Sequence, residues 1–415
     1  MSSFNQQNGF HLEPRSGHMF ATYKGSLMVA GGYTSTGPIL DVCSLSDHTR
    51  NQWNKIYPTN YPQAYSPAPR IETTPCLCDD KIIIFGGITF ENDEVNILNE
   101  LIEFNLFNQH WSLVYDEVDL ISERSNHITE KLSETSILIH GGHIMGTTFE
   151  DAFIYDVGSH MITEIVLEGA PSPHGRFNHS SCHINNGNVA IFGGAYTSTD
   201  DTTHETVYLE DLWIFSIEKH NNQTNMRWTQ IIYNVLKGEI SISPRDGAAM
   251  TCYDKKVFIY GGYGLVERFD DDGGGNEGKR TGDVNEDGEV IIASSPSADN
   301  VYEEYLSDLW SIDLRTGRCS QRELLEEVGL GPARGGAIVI IPSPAEIIIT
   351  PSSADIPMRE EAIQPSEDKE SASLTVLALG GFNETINEDT NGISTSESQF
   401  LDFRSSTIAN TIFIS

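Results

Sequence analysis

Short apolar runs that end on two glycines recur along this chain. The clearest occupies residues 81–87, where one lysine and four apolar residues precede Gly86 and Gly87. The run is too short for a buried helix and rich in β-branched residues, so it predicts a core strand. Two glycines after a strand indicate a turn with positive φ or packing too close for a side chain. The six pairs are Gly31-Gly32, Gly86-Gly87, Gly141-Gly142, Gly193-Gly194, Gly261-Gly262 and Gly380-Gly381.

The spacing of these pairs indicates a repeat. The first four pairs lie 55, 55 and 52 residues apart, and the last two intervals are 68 and 119 residues. A period in this range indicates an array of supersecondary units. In each unit an arginine opens one strand before the pair, and a third strand follows it, clearest at Asp211-Leu212-Trp213. A fourth strand often follows a tryptophan. Four short strands without helical periodicity predict the blade of a β-propeller.

With its strand-Gly-Gly, Asp-Leu-Trp and late Trp positions, the chain resembles the Kelch repeat family from about residue 13 onward. The resemblance implies an all-β fold, a six-bladed Kelch-type β-propeller with four-stranded antiparallel blades. Seven blades is the alternative count if the N-terminal tail contributes strands. The third and sixth units lack Asp-Leu-Trp and the late Trp, and their nearest equivalents are Asp151-Ala152-Phe153 and Leu401-Asp402-Phe403.

The domain organisation follows from polarity and charge. Residues 1–12 form a polar tail that we expect either to fray or to pair with the last blade, and residues 13–415 form one propeller. Two acidic insertions, at about 265–304 and 342–373, carry net charges of −9 and −5, and their composition predicts disorder. Because the chain totals −35, a charge of −21 remains on the rest of the protein.

This acidity narrows the classes of partner. A net charge of −35 disfavours nucleic acid and anionic membranes, which would be repelled. The six scattered cysteines predict reduced, buried thiols, including Cys76 and Cys78 on one face of a strand. Without a secretory leader or a long apolar run in this sequence, we expect a cytoplasmic protein, with the nucleus as the alternative.

The arginines that open the repeats are the candidate partner-binding residues. In an antiparallel blade they would form a ring around one mouth of the central channel. One interpretation is structural, with each arginine bonded to carbonyls or a carboxylate of the neighbouring blade. The other is a cationic pocket that captures an acidic or phosphorylated peptide. The six residues are Arg15, Arg70, Arg124, Arg176, Arg245 and Arg334.

Other motifs give weaker signals. His18, His127 and His179 occupy matching positions where other blades have Thr or Ala, which indicates packing. Residues 283–289 match half of a calcium-binding EF-hand loop, but Ser294 stands where the bidentate Glu is needed. Plant specifier proteins bind iron through a Glu-x3-Asp-x3-His triad. Asp200 and His204 match its last two positions, but Tyr196 stands where the glutamate is needed. We therefore predict no catalytic residue, no metal site and no cofactor.

The predicted function is a non-catalytic interaction module, an adaptor or scaffold, that binds a partner protein or acidic peptide at the loop face. We expect a monomeric propeller within a larger complex. In this hypothesis residues 265–304 fold over the arginine ring and compete with acidic partners. One alternative is a small-molecule enzyme of specifier or sugar-isomerase type that uses the central pocket. Another is an acidic scaffold subunit that contacts basic proteins.

Overall fold

The computed structural model describes most of the chain. The described residues are 6–10, 12–13, 15–45, 53–58, 65–91, 94–116, 118–185, 187–200, 203–220, 223–235, 241–267, 301–322, 337–342, 374–379, 382–388, 394–400 and 411–412. These residues form strands and turns and no helix, so the described part has no helix that could cross a membrane. Most of both predicted insertions lies outside the described residues, as does the EF-hand-like segment.

Strands of the first two repeats alternate along the chain with short turns. They are β1 (Gln6–Phe10), β2 (Arg15–Ser16), β3 (Met19–Tyr23), β4 (Ser26–Ala30), β5 (Tyr33–Thr34), β6 (Gly37–Pro38), β7 (Val42–Leu45), β8 (Trp53–Ile56), β9 (Cys76–Cys78), β10 (Lys81–Glu91), β11 (Glu94–Asn105) and β12 (His110–Tyr115).

The third and fourth repeats have the same plan. Their strands are β13 (Ile128–Lys131), β14 (Ser136–His140), β15 (His143–Ile144), β16 (Thr147–Thr148), β17 (Ala152–Asp156), β18 (Met161–Glu164), β19 (Ser180–Asn185), β20 (Asn188–Phe192), β21 (Ala195–Asp200), β22 (Thr203–Tyr208), β23 (Leu212–His220) and β24 (Gln223–Ile231).

The remaining strands belong to the fifth and sixth repeats. They are β25 (Arg245–Asp246), β26 (Ala249–Tyr253), β27 (Lys256–Tyr260), β28 (Tyr263–Glu267), β29 (Val301–Tyr305), β30 (Leu309–Asp313), β31 (Cys319–Arg322), β32 (Ala337–Pro342), β33 (Leu374–Leu379), β34 (Phe382–Glu388), β35 (Ser394–Phe400) and β36 (Thr411–Ile412).

Each of the first five repeats builds one four-stranded antiparallel sheet in chain order, as in β9-β10-β11-β12. In the first repeat the tail strand β1 pairs with β8 and becomes a fifth, outermost strand. The tail therefore joins the first blade, whereas we expected it to fray or to pair with the last one. Its strand covers the edge of β8, whose backbone groups would otherwise be unpaired.

The innermost strands of the blades are arranged around a central channel. Strands β3, β9, β13, β19, β26 and β32 contact one another in that order, and β32 also contacts β3. The predicted all-β propeller fold is confirmed. The order of contacts supports the count of six blades, which stays a prediction.

The apolar core fills the spaces between neighbouring blades. Phe85 of the second blade packs with Ile139 of the third, and equivalent clusters join the first to the second, the third to the fourth and the fourth to the fifth. Successive residues of an inner strand enter opposite clusters: Leu77 faces the first blade, whereas Cys76 and Cys78 face the third. These two thiols are buried and free, as the sequence predicted.

The glycine pair lets adjacent blades approach closely. Gly86 and Gly87 have φ of +58° and +89°, in the region that favours glycine. A Cβ on Gly86 would lie 2.7 Å from the carbonyl oxygen of Arg124 in the next blade, and one on Gly87 would lie 2.8 Å from that of Ile71. The Gly87 N–H donates a hydrogen bond of 3.0 Å to the Arg124 carbonyl. The motif thus marks a contact between blades.

Candidate functional site

Each described arginine that opens a repeat is buried and fixes the turn after the glycine pair of its own blade. Arg176 Nη1 donates to the carbonyl of Gly193 at 2.9 Å and to Asp211 at 2.6 Å, and its Nη2 donates to the other oxygen of Asp211 at 2.9 Å. Its Nε donates to the carbonyl of His174 at 3.0 Å. The equivalent ion pairs are Arg15–Asp41, Arg70–Glu100, Arg124–Asp151 and Arg245–Asp308.

These contacts support the structural interpretation of the arginine ring. The carboxylate partner belongs to the same blade, whereas we expected a side-chain bond to the neighbouring blade. The link between blades is made by the backbone instead, since Gly142 N–H donates to the Arg176 carbonyl at 2.8 Å and Gly194 N–H to the Arg245 carbonyl at 2.9 Å. Arg334 lies outside the described residues. Direct partner binding by the ring stays an untested prediction.

The Asp-Leu-Trp motif has a physical explanation in the same site. Trp213 Nε1 donates to Asp211 at 2.6 Å, so one carboxylate accepts bonds from both the indole and Arg176. Burial by itself would raise the pKa of Asp211, but the bonds and charge of Arg176 outweigh burial and lower this pKa. In the first blade Cys43 replaces the tryptophan, and its thiol donates to Asp41 at 3.6 Å. The motif was visible in the sequence, but its acid was not identified as the partner of the arginine.

The three repeat-matched histidines pack between blades. His127 lies edge-on to Phe85 with ring centroids 5.3 Å apart, and His179 Nε2 is 3.0 Å from Nδ1 of His140, which sequence analysis missed. Burial, with the nearby charge of an arginine, lowers the pKa of His18 and His127 to about 3. Their neutral, enclosed rings support the predicted packing role.

The channel begins below a ring of backbone hydrogen bonds at the arginine end. Asn126 N–H donates to the Glu72 carbonyl at 2.6 Å, Asn178 N–H to the Asn126 carbonyl at 2.9 Å, and Gly247 N–H to the Asn178 carbonyl at 2.8 Å. All four residues have a positive φ. Because this ring repeats from blade to blade through main-chain atoms, it stabilises the mouth without requiring particular side chains.

The channel itself is a cavity of ≈ 690 Å³ lined by the inner strands. Glu130 in its wall accepts hydrogen bonds from the Ser181 hydroxyl at 2.9 Å and from the Lys131 N–H at 3.0 Å. Enclosure by the surrounding blades raises the pKa of Glu130 to about 7, although these bonds oppose the shift. Among the described residues no group of three or more His, Cys, Asp or Glu is placed to hold a metal ion.

The specifier-like residues lie in one projecting hairpin. Its register pairs Thr199 with His204 and Asp200 with Thr203, at the tip formed by β21 and β22. Tyr196, which stands at the first position of the motif, packs against His174 in a tilted arrangement with ring centroids 4.2 Å apart. An aromatic packing role thus accounts for Tyr196.

The segments that follow the glycine pairs form one end of the propeller, which we call the hairpin face. In successive blades, the residue after the arginine bridges the start of this segment, as in Ile71–Ile88, Ser125–His143 and Phe177–Ala195. The segments are residues 33–41, 88–100, 143–151, 195–211 and 263–308. They carry exposed apolar or aromatic side chains in four blades, namely Tyr33, Phe90, Val95, Met145 and Tyr302.

Aromatic rings also pair across the hairpin face. His143 of the third blade stacks on Phe177 of the fourth at 4.5 Å between centroids. Tyr208 of the fourth blade contacts Tyr263 of the fifth at 6.1 Å, and Tyr263 contacts Tyr305 at 4.9 Å. Tyrosine is enriched in protein interfaces because its ring is large and its hydroxyl polar. The face therefore has the side-chain chemistry of an interface.

The charged side chains in the described part of the hairpin face have one sign. Within the described residues of the five segments, every Asp, Glu, Lys or Arg side chain is acidic. The arginines beside these segments are buried and paired, so they offer no exposed cation. The acids whose side chains the structure describes are Asp41, Glu91, Glu94, Glu100, Glu150, Asp151, Glu205, Glu210, Asp211, Glu303, Glu304 and Asp308.

Comparison with known proteins gives the family. A family model described as the KLHDC2/KLHL20/DRC7 Kelch-repeats domain matches residues 3–194 and 133–273. The matches together cover more than half of the chain, which therefore belongs to this Kelch-repeat family. A solved structure titled "Structure of YjhT" has a TM-score of 0.54 and 11% identity, with 94% of this chain and 95% of that one covered. This likeness shows the fold alone.

Similar curated proteins are much longer than the region they share with this chain. Host cell factor of Drosophila melanogaster is 28% identical over 184 residues, 40% of this chain and 12% of that protein. A leucine-zipper-like transcriptional regulator 1 homolog of the same organism is 26% identical over 196 residues, 44% and 18% of the two chains. A probable serine/threonine-protein kinase of Dictyostelium discoideum is 25% identical over 252 residues, 60% and 16%. Kelch-repeat domains generally bind protein partners.

Proposed function

We propose that this propeller is a non-catalytic protein-interaction module whose hairpin face binds a basic segment of a partner protein. The observation that carries the proposal is the surface of that face, where the same segments carry exposed aromatic and apolar side chains and exposed carboxylates. Aromatic anchors supply contact area, and complementary charge steers the encounter and selects the partner.

The charge distribution favours one of the two partner classes that the sequence left open. An acidic or phosphorylated peptide would meet carboxylates on the segments and find the neighbouring arginines already paired with Asp or Glu. A basic segment would instead meet opposite charge at exposed carboxylates of this face, such as those of Glu94, Glu150 and Glu205. We therefore favour a basic partner, with the module serving as an adaptor or scaffold.

A channel-based enzyme is the second candidate, and one observation favours it. Glu130, whose pKa is raised to about 7, lies in a cavity of ≈ 690 Å³ and has the proton affinity that suits a general acid or base. Glu130→Gln would abolish turnover of a small molecule in the channel. The same change would leave binding at the hairpin face unaltered, so the two functions are separable.

The test is partner capture from the native cell with three forms of the full chain as bait. The hairpin variant neutralises one exposed acid on each of four segments, and the control variant neutralises two exposed acids at the opposite end. We expect the basic partners of the wild type to be retained by the control and lost from the hairpin variant. Equal retention by all three folded baits would overturn the proposal. The substitutions are Glu94→Gln, Glu150→Gln, Glu205→Gln and Glu303→Gln, against Asp79→Asn and Glu134→Gln.

A further inference from the structure

A notch of ≈ 560 Å³ opens at the hairpin face between the second and third blades. It is lined by the connection that precedes Arg124 and by the segment after the third glycine pair. Its apolar lining residues are buried or half-buried, and its two acidic lining residues, Asp119 and Glu123, are exposed. The apolar lining comprises Val118, Ile121, Ile144 and Phe149.

One wall of the notch is held rigidly. The guanidinium carbon of Arg124 lies 4.2 Å from the centroid of the Phe149 ring, and Arg124 is itself paired with Asp151. A cation over an aromatic face is attractive and limits the motion of the ring. Because the Arg124 charge is buried and paired, it leaves Asp119 and Glu123 to set the charge of the opening.

Met145 adjoins the notch lining in sequence and has an unusual backbone conformation. It lies between two lining residues, Ile144 and Thr147, and its side chain is 92% exposed. Its φ is +42°, in the left-handed region that turns normally give to glycine or asparagine. Leu120, also exposed, lies between two other lining residues in sequence. Methionine adapts its shape to irregular apolar partners, which suits a binding surface.

We propose that this notch binds a partner segment in which a Lys or Arg side chain stands beside an apolar residue. The apolar side chain packs against the lining and Met145, and the cation meets Asp119 and Glu123. Charge complementarity selects this occupant, since an acidic segment would be repelled. The inference rests on the proposed function. It puts the binding site for the partner segment between the second and third blades, to one side of the central channel.

The experiment uses the full chain and three labelled synthetic dodecapeptides that alternate Arg with Leu, Glu with Leu, or Arg with Ser. Fluorescence anisotropy at low salt gives the dissociation constants. A methyl NMR spectrum of methionine-labelled protein then reports on Met145, whose signal is assigned from the spectrum of Met145→Asn. Asparagine tolerates the left-handed backbone, so this variant removes the apolar side chain without straining the turn.

We expect the Arg/Leu peptide to bind most tightly and to shift the Met145 methyl signal. The double variant Asp119→Asn/Glu123→Gln should weaken binding about fivefold or more, the effect of losing two exposed ion pairs. Met145→Asn should weaken it as well. The matched control Asp79→Asn/Glu134→Gln removes the same charge from exposed positions at the opposite end of the propeller and should change affinity less than about twofold.

Three results would overturn the notch proposal: no binding of the Arg/Leu peptide, equal binding of the Glu/Leu peptide, or an unshifted Met145 signal with unchanged affinity in the double variant. None of them contradicts the proposed function, because partner capture by the hairpin face is measured separately. Loss of partner capture by the double variant Asp119→Asn/Glu123→Gln, together with the expected peptide result, would support both proposals.

Discussion

The buried histidines connect single side chains to the acid stability of the propeller. Burial and the charge of Arg124 lower the pKa of His127 to about 3. An unfolded chain binds the proton at about pH 6.5, so between about pH 6.5 and pH 3 the unfolded state holds more protons than the folded state. The stabilising effect of the neutral ring is complete above this window and is lost as the pH falls through it.

We therefore predict that His127→Thr makes stability less dependent on pH. The second blade carries Thr73 at this position, where its hydroxyl donates to the Phe85 carbonyl at 2.7 Å, so the change is compatible with the fold. In this variant the slope of the unfolding free energy against pH, between pH 6 and pH 4, should be smaller than in the wild type by about 1.4 kcal/mol per pH unit. Urea denaturation at several pH values measures it. Exposed His174→Thr is the control, and an equal slope in both variants would contradict the assignment.

At the scale of single residues, the sequence predicted the positions but not their partners. The glycine pairs, the arginines and the histidines were identifiable because each recurs at a fixed place in the repeat. The Arg176–Asp211 pair was not, because it joins residues 35 positions apart whose contact depends on the turn between them. His140 was missed because it has no counterpart at the same position in the other repeats.

At the scale of the element, each of the first five blades contains an arginine that joins the start of its first strand to the turn after its second strand and to the start of its third. Arg176 is fully buried, and removing it would leave Asp211 as an unpaired, partly buried charge. Loss of one partner of a buried ion pair typically costs about 3–5 kcal/mol. This cost distinguishes a structural arginine from a binding arginine.

We predict that Arg176→Met lowers the free energy of unfolding by about 3–5 kcal/mol. Tryptophan fluorescence during urea denaturation reports the change, since Trp213 contacts the same carboxylate. The matched control is Arg227→Met, which breaks the exposed pair with Glu218 and should cost less than about 1 kcal/mol. If both variants lower the free energy of unfolding equally while Arg176→Met no longer binds the partner protein, the result would favour a partner-binding role for the arginine ring.

Elements were predicted well where they repeat. The tail was not, because residues 6–10 have no repeat pattern and their pairing with β8 depends on an open edge in the folded blade. The loop face was predicted as the binding surface, but its acidic and aromatic composition was not, since these residues lie in segments of different length and sequence. Only the fold brings these segments to one end.

At the scale of the whole molecule, the net charge of −35 opposes folding but favours the binding of a basic partner. Repulsion among carboxylates opposes the compact state, and salt screens it over a Debye length of roughly 10 Å at 0.1 M. Only a few exposed ion pairs in the described part, such as Lys24–Asp80, would weaken on screening. Salt should therefore stabilise the propeller overall.

The same screening should weaken attraction between the hairpin face and a basic partner. We predict that raising NaCl from about 0.02 M to 0.3 M increases the thermal midpoint by a few degrees while reducing affinity for the Arg/Leu peptide several-fold. Differential scanning fluorimetry and anisotropy on the same samples measure both, and sucrose is the control for effects unrelated to charge. A midpoint that falls with salt would show that ion pairs dominate the surface. An affinity that does not change would show that the peptide is held by apolar contacts and not by the carboxylates.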